Sequence, residues 1–172
     1  MVSTLFEMVL ESVFEKFLVS DYLQFGFKKN SSCARALFAF NESIRYCTGN
    51  NTKVYTAFLD ASKAFDKVLY NGLFVKMFRR NIPVCLVTLL MFWYSHLQCS
   101  VRWNDELGES FSILCGVRQG GVLSSFLYAI HVDDLIDELR QSGYGLFVGH
   151  IFTGCILYAD DIVLLSPSCF GL

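Results

Sequence analysis

Apolar residues recur at helical spacing from the start of the chain: Val2, Leu5, Phe6, Val9, Val13 and Phe17, with Glu7, Glu11 and Glu15 on another face. This period predicts an amphipathic helix over Val2 to Leu18. The pattern then breaks. "SDYLQFGFKKNSS" reads as a loop or short strand ending at a helix cap, and Ser31 or Ser32 suits the capping position of a helix from Cys33 to about Cys47. "GNN" at 49–51 is a turn, and "KVYTAFLD" is a β-rich run that ends on Asp60.

The second half alternates in the same way. A basic helical stretch covers roughly Leu73 to Arg80, and Pro83 opens a very apolar helix to about Leu97. "CSVRWNDELGESFSILC" predicts a hairpin around a turn at Asn104–Gly108. "GVRQGG" is a glycine-rich loop. Ser124 or Ser125 starts a long helix to about Arg140, which Gly143 and Gly145 close. "LFVGHIFTGCILYADDIVLLS" holds two or three strands. There is no internal repeat, low-complexity tract or linker. The order of elements predicts an α+β fold, a sheet with helices packed on one face.

Composition bounds this picture. A chain of 172 residues that is 53% hydrophobic and 16% aromatic builds one domain with a sizeable core, which excludes a disordered chain. The longest apolar run, roughly Ile82 to Tyr94, is too short to span a bilayer. Glu7, Glu11 and Glu15 interrupt any signal-peptide core, and no basic segment precedes it. An intracellular protein, nuclear or cytoplasmic and not secreted, is therefore expected. The seven cysteines form no C-x-x-C pair, so they read as reduced buried thiols and not as a zinc site.

Net charge is −2, but its distribution is uneven. Lys53 to Arg80 holds six basic residues against Asp60 and Asp66; His131 to the C-terminus holds six acids against Arg140. Such asymmetry suits a protein that holds cations in one place and phosphates in another.

The candidate chemistry lies in "CILYADDIVLLS" at 155–166, where Asp160 and Asp161 sit between apolar runs. A solvated β-turn is one reading, since Asp suits turns. The other is energetic. Two like charges at the edge of a core raise each other's pKa and cost free energy unless a cation neutralises them. Hard oxygen ligands suit Mg²⁺ or Mn²⁺. Asp60, at the end of another apolar strand, is the best third carboxylate. Three such groups would make a two-metal site for phosphoryl or nucleotidyl transfer.

"FLDASKAFDKV" at 58–68, "GVRQGGVLS" at 116–124 and "YADD" at 158–161 occur in the order of the reverse transcriptase palm motifs. With "QFGFKKNSSCARAL" at 24–37, the chain resembles the non-LTR (LINE-type) retrotransposon reverse transcriptases over nearly its whole length. The resemblance implies a palm-like antiparallel sheet packed on helices, with a partial fingers region and no thumb. It implies one partial domain, with a fingers remnant over 1–52 and a palm core over 53–172. It implies RNA-directed DNA polymerisation with RNA template, DNA primer and deoxynucleoside triphosphates as partners, two Mg²⁺ ions (or Mn²⁺), and no membrane.

It also assigns residues. Asp60 and Asp160 would hold the metals, with Asp161 beside them and the carbonyl of Ala61 as a further ligand. Phe65 would exclude a ribose 2′-OH; the alternative is a core Phe. Gln119 and Gly120 match the loop that touches nucleotide and template; the alternative is an ordinary loop before a helix. Arg118 would face either phosphate or solvent. Tyr158 would pack near the primer end or serve only as a strand aromatic. Lys28 and Lys29 would touch template or triphosphate, or stay solvated. Asp133 and Asp134 read as a solvated helix face, since neighbours on a helix diverge by about 100°. His96, His131 and His150 have no metal-ligand spacing.

Set against the family pattern, the chain is expected to lack the "RPIS"-type segment, the motifs beyond "LLSPS", the thumb and an endonuclease domain, and Ser125 stands where "LSP" has its Pro. The rival expectation is a catalytically inactive relic that acts, if at all, as a nucleic-acid or protein-binding module.

Overall fold

The computed structural model of the chain describes residues 2–28 and 30–172; Lys29 and its expected contacts lie outside the described residues. Five α-helices are described: α1 (Val2–Phe14), α2 (Cys33–Gly49), α3 (Tyr70–Arg79), α4 (Val84–Ser95) and α5 (Ser124–Gln141). Strand β1 (Tyr55–Asp60) follows α2, and β8 (Cys155–Tyr158) and β9 (Asp161–Ser166) close the chain. Short strands β2 (Gln98–Cys99), β3 (Arg102–Trp103), β4 (Glu106–Leu107) and β5 (Phe111–Ser112) form the predicted hairpin region, and β6 (Phe147–Val148) pairs with β7 (Ile151–Phe152).

The boundaries have local causes. Ser32 is the N-cap of α2, with its hydroxyl accepting the Arg35 amide at 3.4 Å. Pro83 precedes α4, and its carbonyl accepts the amides of Leu86 and Val87. The hairpin turn narrows from the expected five residues to Asn104–Asp105, both at positive φ, which a tight two-residue turn requires.

The chain divides into two compact units: the segment through Phe17 with Phe65–His131, and Leu18–Ala64 with Val132–Leu172. The second unit holds the sheet β1–β9–β8, antiparallel throughout. Helices cover both of its faces, which corrects the one-face expectation. On one face Ala36, Phe40, Ile44 and Cys47 of α2 pack with Ile156, Val163 and Leu165. On the other, Val132, Ile136 and Leu139 of α5 pack with Cys155, Leu157, Ile162 and Leu164. The reason is the unbroken apolar run of β8 and β9. A strand with apolar residues at consecutive positions must be covered on both faces.

The first unit is built around Leu73, Met77, Leu86, Leu90, Leu127 and Ile130, each nearly inaccessible to solvent. Here α1 departs from its predicted orientation. Leu5, Val9 and Val13 are exposed, while Glu7 is 3% exposed and Leu10 is buried. Glu7 is drawn inward by Arg118, whose Nη1 donates to its Oε1 at 2.9 Å. Its Oε2 accepts the Leu123 amide at 3.2 Å. A buried carboxylate needs such partners, and they set which face of the helix points in.

Candidate functional site

The acidic turn lies wholly in the second unit. Tyr158 and Asp161 close the β8–β9 hairpin as cross-strand partners, which leaves Ala159 and Asp160 as a two-residue turn. Ala159 has φ +57°, and a positive φ at the first turn position matches the right-handed twist of the strands. On the far side of β9, Asp161 stands opposite Asp60 at the last position of the ladder. The Ala61 amide donates to the Asp160 carbonyl at 3.3 Å, which ties the turn to the end of β1. The Ala61 carbonyl accepts the Ala64 amide at 3.0 Å. All three carboxylates thus belong to one end of one sheet.

Their setting differs from the expected core edge. Asp60 and Asp161 are exposed and Asp160 is half-buried. Water screens the like charges, so the turn costs less than a buried one would. Strand alternation places Phe58, Asp60, Asp161, Val163, Ile156 and Tyr158 on one face. These residues, with α2, line a cavity of about 400 Å³. The cavity is mainly apolar and the two carboxylates stand in its lining. Tyr158 belongs to that lining and is exposed.

Phe65, Arg118, Gln119 and Gly120 lie in the first unit. Phe65 stacks on Tyr128, with ring centroids 4.7 Å apart and planes 18° apart. The "GVRQGG" loop packs on the turn that Phe65 begins. The Val117 amide donates to the Phe65 carbonyl and the Gly116 amide to the Val68 carbonyl, each at 2.8 Å. Gly116 has φ +89°, and a Cβ there would meet the Asp66 carbonyl at 2.9 Å. Gln119 donates from Nε2 to Asp66 Oδ1 at 3.0 Å, and both side chains are exposed. Gly120 faces open space at φ +76°. The structure therefore joins two motifs 50 residues apart, Phe65–Val68 and Gly116–Gly120. Arg118 is half-buried. Its guanidinium is committed to Glu7, donates to Ser3 Oγ at 3.2 Å, and lies over the Trp93 ring, 5.5 Å from its centroid.

A family model described as reverse transcriptase (RNA-dependent DNA polymerase) matches residues 2–169. The chain belongs to this reverse transcriptase family. Among its relatives, the Pol polyprotein of the type-2 retrotransposable element R2DM of Drosophila melanogaster is 29% identical over 152 residues, covering 88% of this chain and 14% of the relative. The probable RNA-directed DNA polymerase of transposon X-element, also of Drosophila melanogaster, is 30% identical, covering 65% of this chain and 12% of the relative. The chain thus spans about one seventh of the length of such relatives. The kinship with non-LTR retrotransposon reverse transcriptases is as expected. An apo telomerase structure from Candida tropicalis, truncated from its C-terminal domain, superposes with a TM-score of 0.68 at 14% identity, covering 98% of this chain and 35% of that one. That likeness supports the palm-like mixture of helices and antiparallel sheet.

Reverse transcriptases generally use divalent metal ions. Among the described residues, no group of three or more His, Cys, Asp or Glu side chains converges closely enough to hold one. The expected three-carboxylate cage is not assembled. What is present is an opposed carboxylate pair, Asp60 and Asp161, with Asp160 next along the chain. Opposed residues on one sheet face have Cβ atoms about 5 Å apart. Mg²⁺ keeps several waters and takes one or two protein carboxylates. The donor set therefore fits a hydrated divalent cation.

Several residues of this reverse transcriptase chain escape sequence reasoning. Asp66 holds Gln119. Glu7 holds Arg118. Asp133, expected on a solvated helix face, is 2% exposed, and its Oδ2 accepts the Asp21 amide at 2.9 Å. Gln24 is fully buried. Only the polar residue within an otherwise apolar "LQFGF" hinted at it. Among the described residues, no helix is long and apolar enough to cross a membrane.

Proposed function

We propose that this chain is the palm-centred part of an RNA-directed DNA polymerase of a non-LTR retrotransposon, with 1–52 as its fingers remnant and 53–172 as its palm core. The observation that supports it best is that β pairing across a hundred residues of sequence sets Asp60 opposite Asp161 in the lining of a cavity, while the Asp160 carbonyl accepts the Ala61 amide at the same sheet end. RNA template, DNA primer and deoxynucleoside triphosphates are the partners this reading requires.

Asp60 and Asp160 act as metal-holding carboxylates, with the Ala61 carbonyl and Asp161 beside them. Held by these residues, divalent ions would supply a lowered pKa at the primer 3′-hydroxyl and charge neutralisation at the triphosphate. The chain's own residues do the rest. Asp60 and Asp160 would fix where the ions sit. Phe65, which stacks on Tyr128, would be the ring that excludes a ribose 2′-OH. Gln119, held by Asp66, lies at the tip of the glycine loop where nucleotide and template would pass. Arg118 is a structural tie in this reading, because its charge is already spent on Glu7.

Primer extension on an RNA template tests the proposal, using the chain alone and joined to the adjoining polymerase segments of a relative. Mg²⁺-dependent incorporation is expected, and Asp160→Asn should abolish it. A joined protein that never incorporates nucleotide overturns the reading and leaves the catalytically inactive relic.

A further inference from the structure

We propose that Gln24, together with Gly26, is a positioning residue for the acidic turn: the Leu23–Gly26 segment docks on β8 as a parallel strand and locks Ala159 so that Asp160 and Asp161 align with the end of β1. The inference rests on reading those aspartates as the active site.

Backbone pairing comes first. The Phe25 amide donates to the Leu157 carbonyl at 2.7 Å, and the Leu157 amide to the Leu23 carbonyl at 2.9 Å. Gln24 and Leu157 form a parallel bridge outside the main sheet. The segment therefore lies along β8 and ends beside the turn.

The side chain of Gln24 then reaches the turn itself. It is 0% exposed, and a buried amide must find partners. Its Oε1 accepts the Gly26 amide at 2.9 Å. Its Nε2 points to the Ala159 carbonyl at 3.5 Å. Gly26 is pressed against the same residue. A Cβ at position 26 would lie 2.4 Å from the Ala159 nitrogen and 3.1 Å from its Cα. No L side chain fits there without displacing the turn.

The turn needs such support. Ala159 holds φ +57°, a region that is strained for an L residue and persists only where surroundings enforce it. The enforcing segment is itself anchored from α5. Asp133 accepts the Asp21 amide, Arg140 pairs with Asp21 at 2.7 Å, and Asp21 Oδ1 accepts the Leu23 amide at 2.9 Å. The Lys28 ammonium donates to the Asp21 carbonyl. A chain of contacts thus runs from α5 through Asp21 and Gln24 to Ala159. None of these side chains belongs to the acid pair. They act through the turn, whose alignment a polymerase site needs to within about 0.5 Å.

Amide hydrogen exchange on the chain, with Mn²⁺ binding followed by electron paramagnetic resonance, tests this. In Gln24→Met, an apolar side chain of similar length, exchange at Ala159–Asp161 should accelerate by about tenfold or more. The β1–β9 ladder from Tyr55 to Phe58 should keep its protection, and Mn²⁺ affinity should fall in step. Adding Ala159→Gly, which adopts positive φ freely, should restore the affinity. Gly26→Ala presses on Ala159 without removing a hydrogen bond and should give the same local pattern. Unchanged exchange at the turn, or equal acceleration across the whole sheet, overturns the proposal. Loss of the entire fold in both variants does so too, since these residues would then be general core. If the parent chain fails to bind Mn²⁺, the metal reading fails, and the exchange pattern still decides the role of Gln24.

Discussion

Asp60 and Asp161 face each other across the last rung of the β1–β9 ladder, two like charges on one face of one sheet end. Directly opposed like charges oppose strand pairing. Without a cation, the sheet end is weakened by its own chemistry.

A charge-neutral replacement should therefore stabilise the metal-free chain. In EDTA, Asp161→Asn is expected to raise the melting free energy by about 0.5 kcal/mol. In Mg²⁺ at about 100 times its dissociation constant, the parent gains about 2.7 kcal/mol by mass action and overtakes the variant. Paired thermal melts with and without Mg²⁺ check the crossing.

Arg118→Ala should cost stability more than it changes any phosphate contact. It leaves Glu7 buried without its charge partner. Loss of one partner of a buried pair costs about 3–5 kcal/mol, reduced here to about 2–3 kcal/mol because the Arg118 side chain is 34% exposed. Urea denaturation of Arg118→Ala beside Glu7→Gln measures it, and the second substitution should be milder because it buries no charge.

The thiols should separate into two classes. Cys33, Cys85, Cys99, Cys115 and Cys169 are exposed, whereas Cys47 and Cys155 are buried. Titration with a chromogenic disulfide should find the five exposed thiols in the folded chain and all seven in denaturant. This also corrects the expectation that most cysteines are buried.

Stability should decline at alkaline pH. Burial pushes the Cys155 thiol up to about 12 from 9.0, with Asp21 adding to the effect and Arg140 opposing it. The folded state holds that proton where the unfolded state releases it. The contribution is intact below pH 9 and is lost as pH rises from 9 toward 12. Denaturation at pH 8 and 10.5 should show a steeper loss for the parent than for Cys155→Ala.

Phe65→Val should raise ribonucleotide incorporation relative to deoxynucleotide in a polymerising form of the chain. If only the melting temperature changes, the ring serves Tyr128 alone. Competition assays with the two sugar types separate these outcomes.

Much of this was legible in the residues themselves. The β-rich run to Asp60, the cap at Ser32, the Pro83 helix start and the "YADD" hairpin all follow from local pattern, and three ordered motifs carried the family. What escaped were relationships between distant residues. Glu7 looks like part of a polar stripe until Arg118, 111 positions away, is seen beside it. Asp133 looks solvated until the Asp21 amide, 112 positions away, is found on it. Periodicity reports only neighbours along one helix. The two-faced burial of β9 was visible in "DIVLLS", where apolar residues do not alternate, but a sheet open on one side was expected.

Strand β1 is the outer member of its sheet, with β9 on one side and no strand on the other among the described residues. Phe58 and Leu59 lie exposed along it. An edge of this kind offers a row of backbone donors and acceptors to any incoming strand. The same strand that delivers Asp60 is thus open to pairing with a second copy of the chain. Sedimentation at rising concentration should show larger species, and a lysine at position 58 should suppress them. Yield, shelf life and the activity measured per milligram would all then depend on how dilute the protein is kept.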